Sequence, residues 1–469
     1  MSRWMIGLYV WLALLAPVRA GNALPPDAAK HDAEALSERA FSLFSGPPGQ
    51  RDAVIAALAA SGRKDAVPIL VLALRFSSGN SSAALRSALQ KLTGENAGEG
   101  WDDWMRWQEA HPETGTAPGF AKLQARMFQL IDPNFKEFLS GEQKHDIRLE
   151  EITWGGVIKD GIPALTNPKL IAASDATYLN DSDLVFGISI NGDVRAYPLR
   201  ILDWHEMFND VIGGVPVSLA YCTLCGSGIL FETAVTGQAA PFIFGSSGFL
   251  YRSNKLMYDS ATHSLWNQFT GRPVVGPLTG SGIELKTRAV VITPWGDWKA
   301  RHADSKVLAL DTGYKRDYGS GAAYGSYFAS DGLMFPTIVD ETRLKQKDYV
   351  FALRSSGTEA AWPLSLFTGG AIINDRAGVV DVVMIGDAAA RTVRAYRSEA
   401  LVFVKGTTAD SVNQGGDVWA VTEDALVGPQ GKTLARLPGH IAYWFAWSGY
   451  FGKSGVLGGS GKDGAKAAR

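Results

Sequence analysis

Cys222 and Cys225 are the only cysteines in 469 residues, and they sit three apart in the run Tyr221-Cys-Thr-Leu-Cys-Gly226. The flanks Val217-Ser-Leu-Ala-Tyr221 and Gly228-Ile-Leu-Phe-Glu-Thr-Ala-Val235 read as strands, so the pair falls at a hairpin tip. A C-x-x-C-G at such a tip has the form of a rubredoxin-type knuckle, with both sulfurs pointing one way and the glycine admitting backbone N–H groups that favour thiolate. Three chemistries follow: metal binding, a redox dithiol, or an inert disulfide or free thiols. One knuckle is an incomplete ligand set, so further metal ligands must come from elsewhere. A bridge across two intervening residues is a weak staple, worth about 2 kcal/mol by chain entropy. Thioredoxin-like sites put C-x-x-C at a helix N-terminus, whereas the residues after Gly228 favour a strand.

His205 is the nearest candidate partner. The run Pro198 to Gly213 has Ile201, Leu202, Phe208 and Ile212 at helical spacing and predicts a short helix, with His205 and Asn209 on one face. His-Glu-x-x-Asn is not the zincin motif, because Asn is a poor zinc ligand. Glu206 could orient an imidazole or act as general base. Met257 and His263 follow as soft and borderline donors, although a Met in a β-rich core more often packs than ligates. Cys222, Cys225 and His205, with Met257 or His263, give a transition-metal set in which copper stands ahead of zinc. His302 and His440 read as surface residues.

These residues need a scaffold, and the pattern predicts an α+β chain. Residues 27–112 carry alanine and leucine at helical spacing and resemble a HEAT-like helical array, a packing or docking surface, with Trp101 to Trp107 as a core stripe. A linker and helical segment is expected over 113–149. From 150 the pattern changes to alternating apolar runs broken by Gly, Asn and Asp, and Asp183 to Tyr197 reads as a hairpin turning at Asn191-Gly192. An offset of 165 residues places Val185 on Val350, Phe186 on Phe351, Ala196 on Ala361 and Asn209-Asp210 on Asn374-Asp375. The expectation is two tandem, related β-rich domains, 150–330 and 331–457. The second lacks the polar constellation: Gly370 stands opposite His205, Ala371 opposite Glu206, and Asp387 and Ala390 opposite the cysteines.

Met1 to Ala20 has the charged start, short apolar stretch and Val18-Arg19-Ala20 ending of a secretory signal, which predicts a periplasmic or secreted protein without a later membrane span. The formal charge is −2, and −4 without that segment, since it holds two of the 45 basic residues against 47 acidic ones. That balance gives no case for nucleic acid. The Gly458-Gly-Ser-Gly-Lys-Asp463 stretch lacks the spacing and following helix of a P-loop, and 458–469 reads as a flexible tail.

Together, Glu151-Ile-Thr-Trp-Gly-Gly to Leu165, Arg195-Ala-Tyr-Pro198, His205-Glu206 with Asn209, Tyr221 to Gly226, Ser247-Gly248, Met257-Tyr-Asp259 and Ser264-Leu-Trp266 resemble the bacterial domain-of-unknown-function 3179 family, from about Glu150 to Tyr450. Thr223 stands where that family's motif has proline. The resemblance supports His205, Cys222 and Cys225 as motif residues and implies no substrate. Three functions remain open: an exported metal-binding protein, with a metal-dependent oxidoreductase as its catalytic form, a periplasmic thiol–disulfide oxidoreductase using Cys222 and Cys225, and a non-catalytic binding or scaffold module. The partner is a small molecule or another protein.

Overall fold

Asn191 and Gly192 both adopt positive φ, 50° and 81°, and form the two-residue turn between β1 (Leu184–Ile190) and β2 (Asp193–Pro198). Positive φ at both central positions matches the twist of the flanking strands, which is why this dipeptide signals a hairpin. The computed structural model describes residues 34–339, 342–355, 357–452 and 456–458. The signal expected over 1–20, and all of the expected tail after Gly458, lie outside the described residues.

After β2 comes a single helical turn, Leu199–Leu202. It leads into β3 (Met207–Ile212), which pairs antiparallel with β4 (Val215–Cys222), and β4 with β5 (Ser227–Glu232). The helix expected over 198–213 is therefore one turn and a strand. Glu206 takes φ 54°, which ends the helical path, and Phe208 and Ile212 are buried from a strand instead. Short apolar runs satisfy both periodicities, and here strand pairing decides. β6 (Phe244–Tyr251) and β7 (Asn254–Asp259) form the next hairpin, in a sheet with Ile152–Trp154, Leu265–Asn267 and Arg272–Val275.

The same succession recurs 165 residues later. β8 (Tyr349–Ser355) and β9 (Thr358–Pro363) form a hairpin, Leu364–Phe367 makes a helical turn, and β10 (Ala371–Ala377), β11 (Val380–Asp387) and β12 (Thr392–Arg397) pair in sequence. Equivalent positions make equivalent bonds. The Asn209 amide donates to Phe244 O and accepts from Phe244 N–H, both at 2.9 Å, and Asn374 does the same to Phe403. Tyr197 donates to Asp210 at 2.7 Å, and Trp362 to Asp375 at 2.8 Å. One core mixes Phe186, Tyr197 and Phe208 with Phe351, Trp362 and Phe367.

The helices Pro48–Ala60, Val67–Arg75, Gly79–Thr93, Trp101–Ala110 and Phe120–Gln129 precede these sheets. Trp104 is fully buried, as the stripe predicts. The segment 113–149 is docked rather than free: Ala117 N–H donates to Asp65 O at 2.8 Å, and Phe128, Phe135 and Phe138 surround Phe249 of β6 at ring separations of 4.8, 4.4 and 6.3 Å. One core thus runs from the helices into the sheet. Among the described residues, no helix is long and apolar enough to cross a membrane.

Replacing Phe249 with Ala removes the ring at the centre of this seam and leaves a cavity, at an expected cost of about 3–5 kcal/mol. Urea denaturation measures the loss, and limited proteolysis is expected to release the helical region sooner. A loss below about 1 kcal/mol would show that the seam does not hold the helices on the sheet.

Candidate functional site

The hairpin tip at the end of β4 is as the spacing predicts, strand, turn, strand. Cys225 N–H bonds back to Cys222 O at 3.1 Å and Gly226 N–H to Thr223 O at 3.2 Å. Gly226 has φ 60°, and a Cβ there would come within 3.2 Å of the Tyr349 and Tyr443 rings, so the turn requires a glycine both for its backbone and for close packing. Cys222 and Cys225 are joined as a disulfide, with Cys225 fully buried and Cys222 3% exposed.

A chain of buried polar groups surrounds the pair. Asn254 Nδ2 approaches Cys225 Sγ at 3.3 Å, and Ser253 O lies 3.4 Å from the same sulfur. Gln268 donates at 2.8 Å to Ala220 O and to Ser227 O, which ties β4 to β5 just behind the turn. Thr223, between the cysteines, donates to Glu206 Oε1 at 3.3 Å, and Lys255 Nζ donates to Glu206 Oε2 at 2.5 Å. Both ends of this ion pair are buried. Glu206 also holds its left-handed backbone in place, with its N–H on Leu202 O at 2.6 Å and its carbonyl accepting Tyr221 N–H at 2.7 Å. A non-glycine residue there costs about 1–2 kcal/mol, so its neighbours must overdetermine it.

Beside the turn lies a cavity of about 260 Å³ whose walls include Asp203, Tyr221, Gly226, Tyr349 and Arg391. Burial pushes the Asp203 carboxyl up to about 7; the Tyr221 hydroxyl, donating at 3.2 Å, and Arg391 oppose the rise, while Glu206 adds to it. Arg391 lies over the Tyr349 ring at 4.6 Å, and Tyr349 donates to Tyr443 at 2.9 Å. Burial, with the Glu206 and Asp203 charges, holds the nearby Tyr324 phenol well above its ordinary value. The site can therefore hold a small solute next to the cysteine turn, with a carboxyl that exchanges protons near neutrality.

The other predicted residues are placed as follows. His205 is fully buried, and its ring nitrogens are both engaged, Nδ1 by Pro163 O at 2.8 Å and Nε2 by Tyr318 Oη at 2.6 Å. Burial lowers its pKa, and a neutral ring facing a carbonyl must carry its proton on Nδ1 and accept at Nε2. Met257 is fully buried in the apolar cluster that also contains Cys222 and Cys225. His263 packs elsewhere, 3.5 Å from Glu137 and edge-on to Phe138 and Tyr258. Asn209 spends its amide on Phe244, as described above. His440, read as a surface residue, is buried against Phe269 and Trp447. Among the described residues, no group of three or more His, Cys, Asp and Glu side chains is placed to hold a metal ion.

Sequence reasoning missed Lys255, Asn254, Asp203 and Arg391. Lys255 had a signal, since a lysine beside Leu256-Met257-Tyr258 in an apolar strand must find a buried partner. Arg391 had another: it stands 165 residues after Gly226, at the same turn of the recurring unit, and shares its positive φ.

A buried C-x-x-C hairpin ringed by ionisable side chains, in a β-rich region that follows a helical one, defines the class of protein. Residues 159–454 match the family model described as Protein of unknown function (DUF3179), and the chain belongs to that family. Comparison with curated proteins and with solved structures returns no match.

The buried ion pair makes a direct prediction. Glu206→Gln or Lys255→Met alone leaves a buried charge unpaired and is expected to cost about 3–5 kcal/mol in urea denaturation, while the double variant costs clearly less than the sum. Additive losses would show that the two charges do not depend on each other. Asp203 gives a pH dependence. Its folded pKa of about 7 lies above the roughly 3.9 of an unfolded aspartate, so the stability it lends is complete below about pH 4 and lost as pH rises through 7. Asp203→Asn is expected to flatten that fall and raise the melting temperature at pH 8 by about 2 °C or more.

Proposed function

We propose that this chain is an exported thiol–disulfide oxidoreductase that cycles Cys222 and Cys225 against a small sulfur compound admitted to the cavity beside Gly226. The observation that carries this reading is the buried polar chain around the pair: Asn254 on Cys225, the Glu206–Lys255 ion pair reaching Thr223, and Asp203 titrating near neutrality. An inert bridge in an apolar core would need none of these groups, each of which costs desolvation.

The slightly exposed Cys222 is the attacking thiolate. It forms a bond to one sulfur of a low-molecular-weight disulfide, and the substrate's S–S bond breaks to release a thiolate that takes a proton. Cys225, with Asn254 stabilising its negative charge, then attacks the Cys222 sulfur, which closes the bridge and expels the second thiol. Two electrons pass from the dithiol to the substrate, and a dithiol partner returns them. Asp203, half ionised near pH 7, can accept the thiol proton and give it back. The signal at residues 1–20 supports export into a compartment where such exchange operates. The matching strands and bonds at 165-residue spacing support two tandem, related units of which only the first carries the cysteines.

One observation favours a second reading. Met257 shares the buried cluster of both cysteines, so the reduced pair with Met257 offers the soft donors that copper(I) takes, with His205 and His263 outside the set.

The reduced protein is expected to reduce cystine or glutathione disulfide with two thiols consumed per turnover. Cys222→Ser should lower the rate at least a hundredfold, and Cys225→Ser should accumulate a mixed disulfide visible by mass spectrometry. Exchange no faster than that of free dithiothreitol overturns the redox reading. Stoichiometric copper(I) that survives dialysis and is lost in Met257→Leu establishes the metal reading in its place.

A further inference from the structure

The position that holds the cysteines in the first copy of the recurring unit is not filled in the second. A cavity of about 450 Å³ lies there, bounded by the start of β10, the β11–β12 turn and the segment from Lys405 to Ser411. Four exchanges at 165-residue spacing open it: Gly370 for His205, Ala371 for Glu206, Asp387 for Cys222 and Ala390 for Cys225. All four replacements line the cavity, so these exchanges fall on one volume.

The chemistry of that volume is specific. A Cβ on Gly370 would lie 3.9 Å from Asp387 Oδ2 and 3.9 Å from Lys405 Nζ, so a half-buried carboxylate and an exposed ammonium both border the empty side-chain position. Gly370 has φ 77°, which keeps a side chain out of this gap. Among the described residues, neither Asp387 nor Lys405 makes an ion pair with the other or with any third group; Asp387 only accepts the Ala389 N–H through its other oxygen, at 2.8 Å. Of the other charges in the wall, Arg301 pairs with Asp410 and Arg394 with Glu423, while the exposed Asp297 makes no ion pair among the described residues. Half-buried Ile372 and Ile385 supply an apolar side.

We propose that this cavity binds a small zwitterion, an apolar amino acid or dipeptide, with its ammonium on Asp387, its carboxylate on Lys405 and its side chain against Ile372 and Ile385. A carboxylate and an ammonium that border the same gap are complemented by a ligand that carries both charges, whereas a plain acid or amine leaves one of them unmatched. The volume falls within the range of small-molecule sites. This inference is independent of whether Cys222 and Cys225 cycle.

Isothermal titration of the full chain with leucine and with leucyl-leucine tests it, beside 4-methylpentanoate, which lacks the amine, and leucinamide, which lacks the carboxylate. The expected result is saturable binding of one zwitterion per chain, weaker by about tenfold or more for both analogues. Asp387→Asn and Lys405→Met, which remove a charge at the cavity mouth and keep side-chain length, should each weaken it by a similar factor while circular dichroism stays unchanged. The proposal is overturned if neither zwitterion binds at about 10 mM, if the analogues bind as tightly, or if both variants bind like the parent.

Discussion

The buried contact between Glu206 and Lys255 is the constraint to which the strands around the cysteine turn are fitted. Two charges this far from water are tolerable only in direct contact and with their remaining valences bonded. Lys255 reaches its partner because β7 runs under the cysteine turn, and Glu206 because the helical turn stops and the backbone flips left-handed one residue before β3. That flip sets which face of β3 is inward, and the pairing of β3 with β4 then carries the cysteines to the tip. Strain at one residue is thus exchanged for the register of three strands.

A second constraint is the side-chain clamp made by Asn209 and repeated by Asn374. Each amide satisfies both backbone groups of a phenylalanine about 30 residues away, so two distant stretches of chain are held at one spacing. Above that shared frame the copies differ in what fills the space between helical turn and hairpin tip. Large polar side chains and a bridge fill the first; glycine and alanine leave the second open.

Much of this was legible in the residues. The Asn191-Gly192 turn and the strand–turn–strand around the cysteines are local signals, and the structure follows both of them. The stretch from Pro198 to Gly213 was misread because four apolar residues satisfy a helical period while strand pairing, a long-range effect, decides their conformation. His205 looked available as a ligand because sequence shows a residue's type and not its partners; Pro163 and Tyr318, 42 and 113 positions away, take both ring nitrogens. Asp203 was illegible for a similar reason. Its perturbation comes from burial beneath Tyr221 and the second repeat, and nothing near it in the chain announces that.

The turn at Gly226 and its counterpart at Arg391 have a consequence for how the halves of the chain can change. The first repeat needs a bare glycine so that aromatic rings of the second can close on its tip, and the second places a guanidinium at the same turn, where it forms a wall of the first repeat's cavity. Reciprocally, Asp297 and Arg301 from the first repeat's helix line the cavity of the second. Each of the two cavities is therefore walled by both stretches of the chain. A cut of the chain between them would take part of the wall from both cavities, and a substitution tolerated by one stretch's own packing would still be judged by the chemistry of the other.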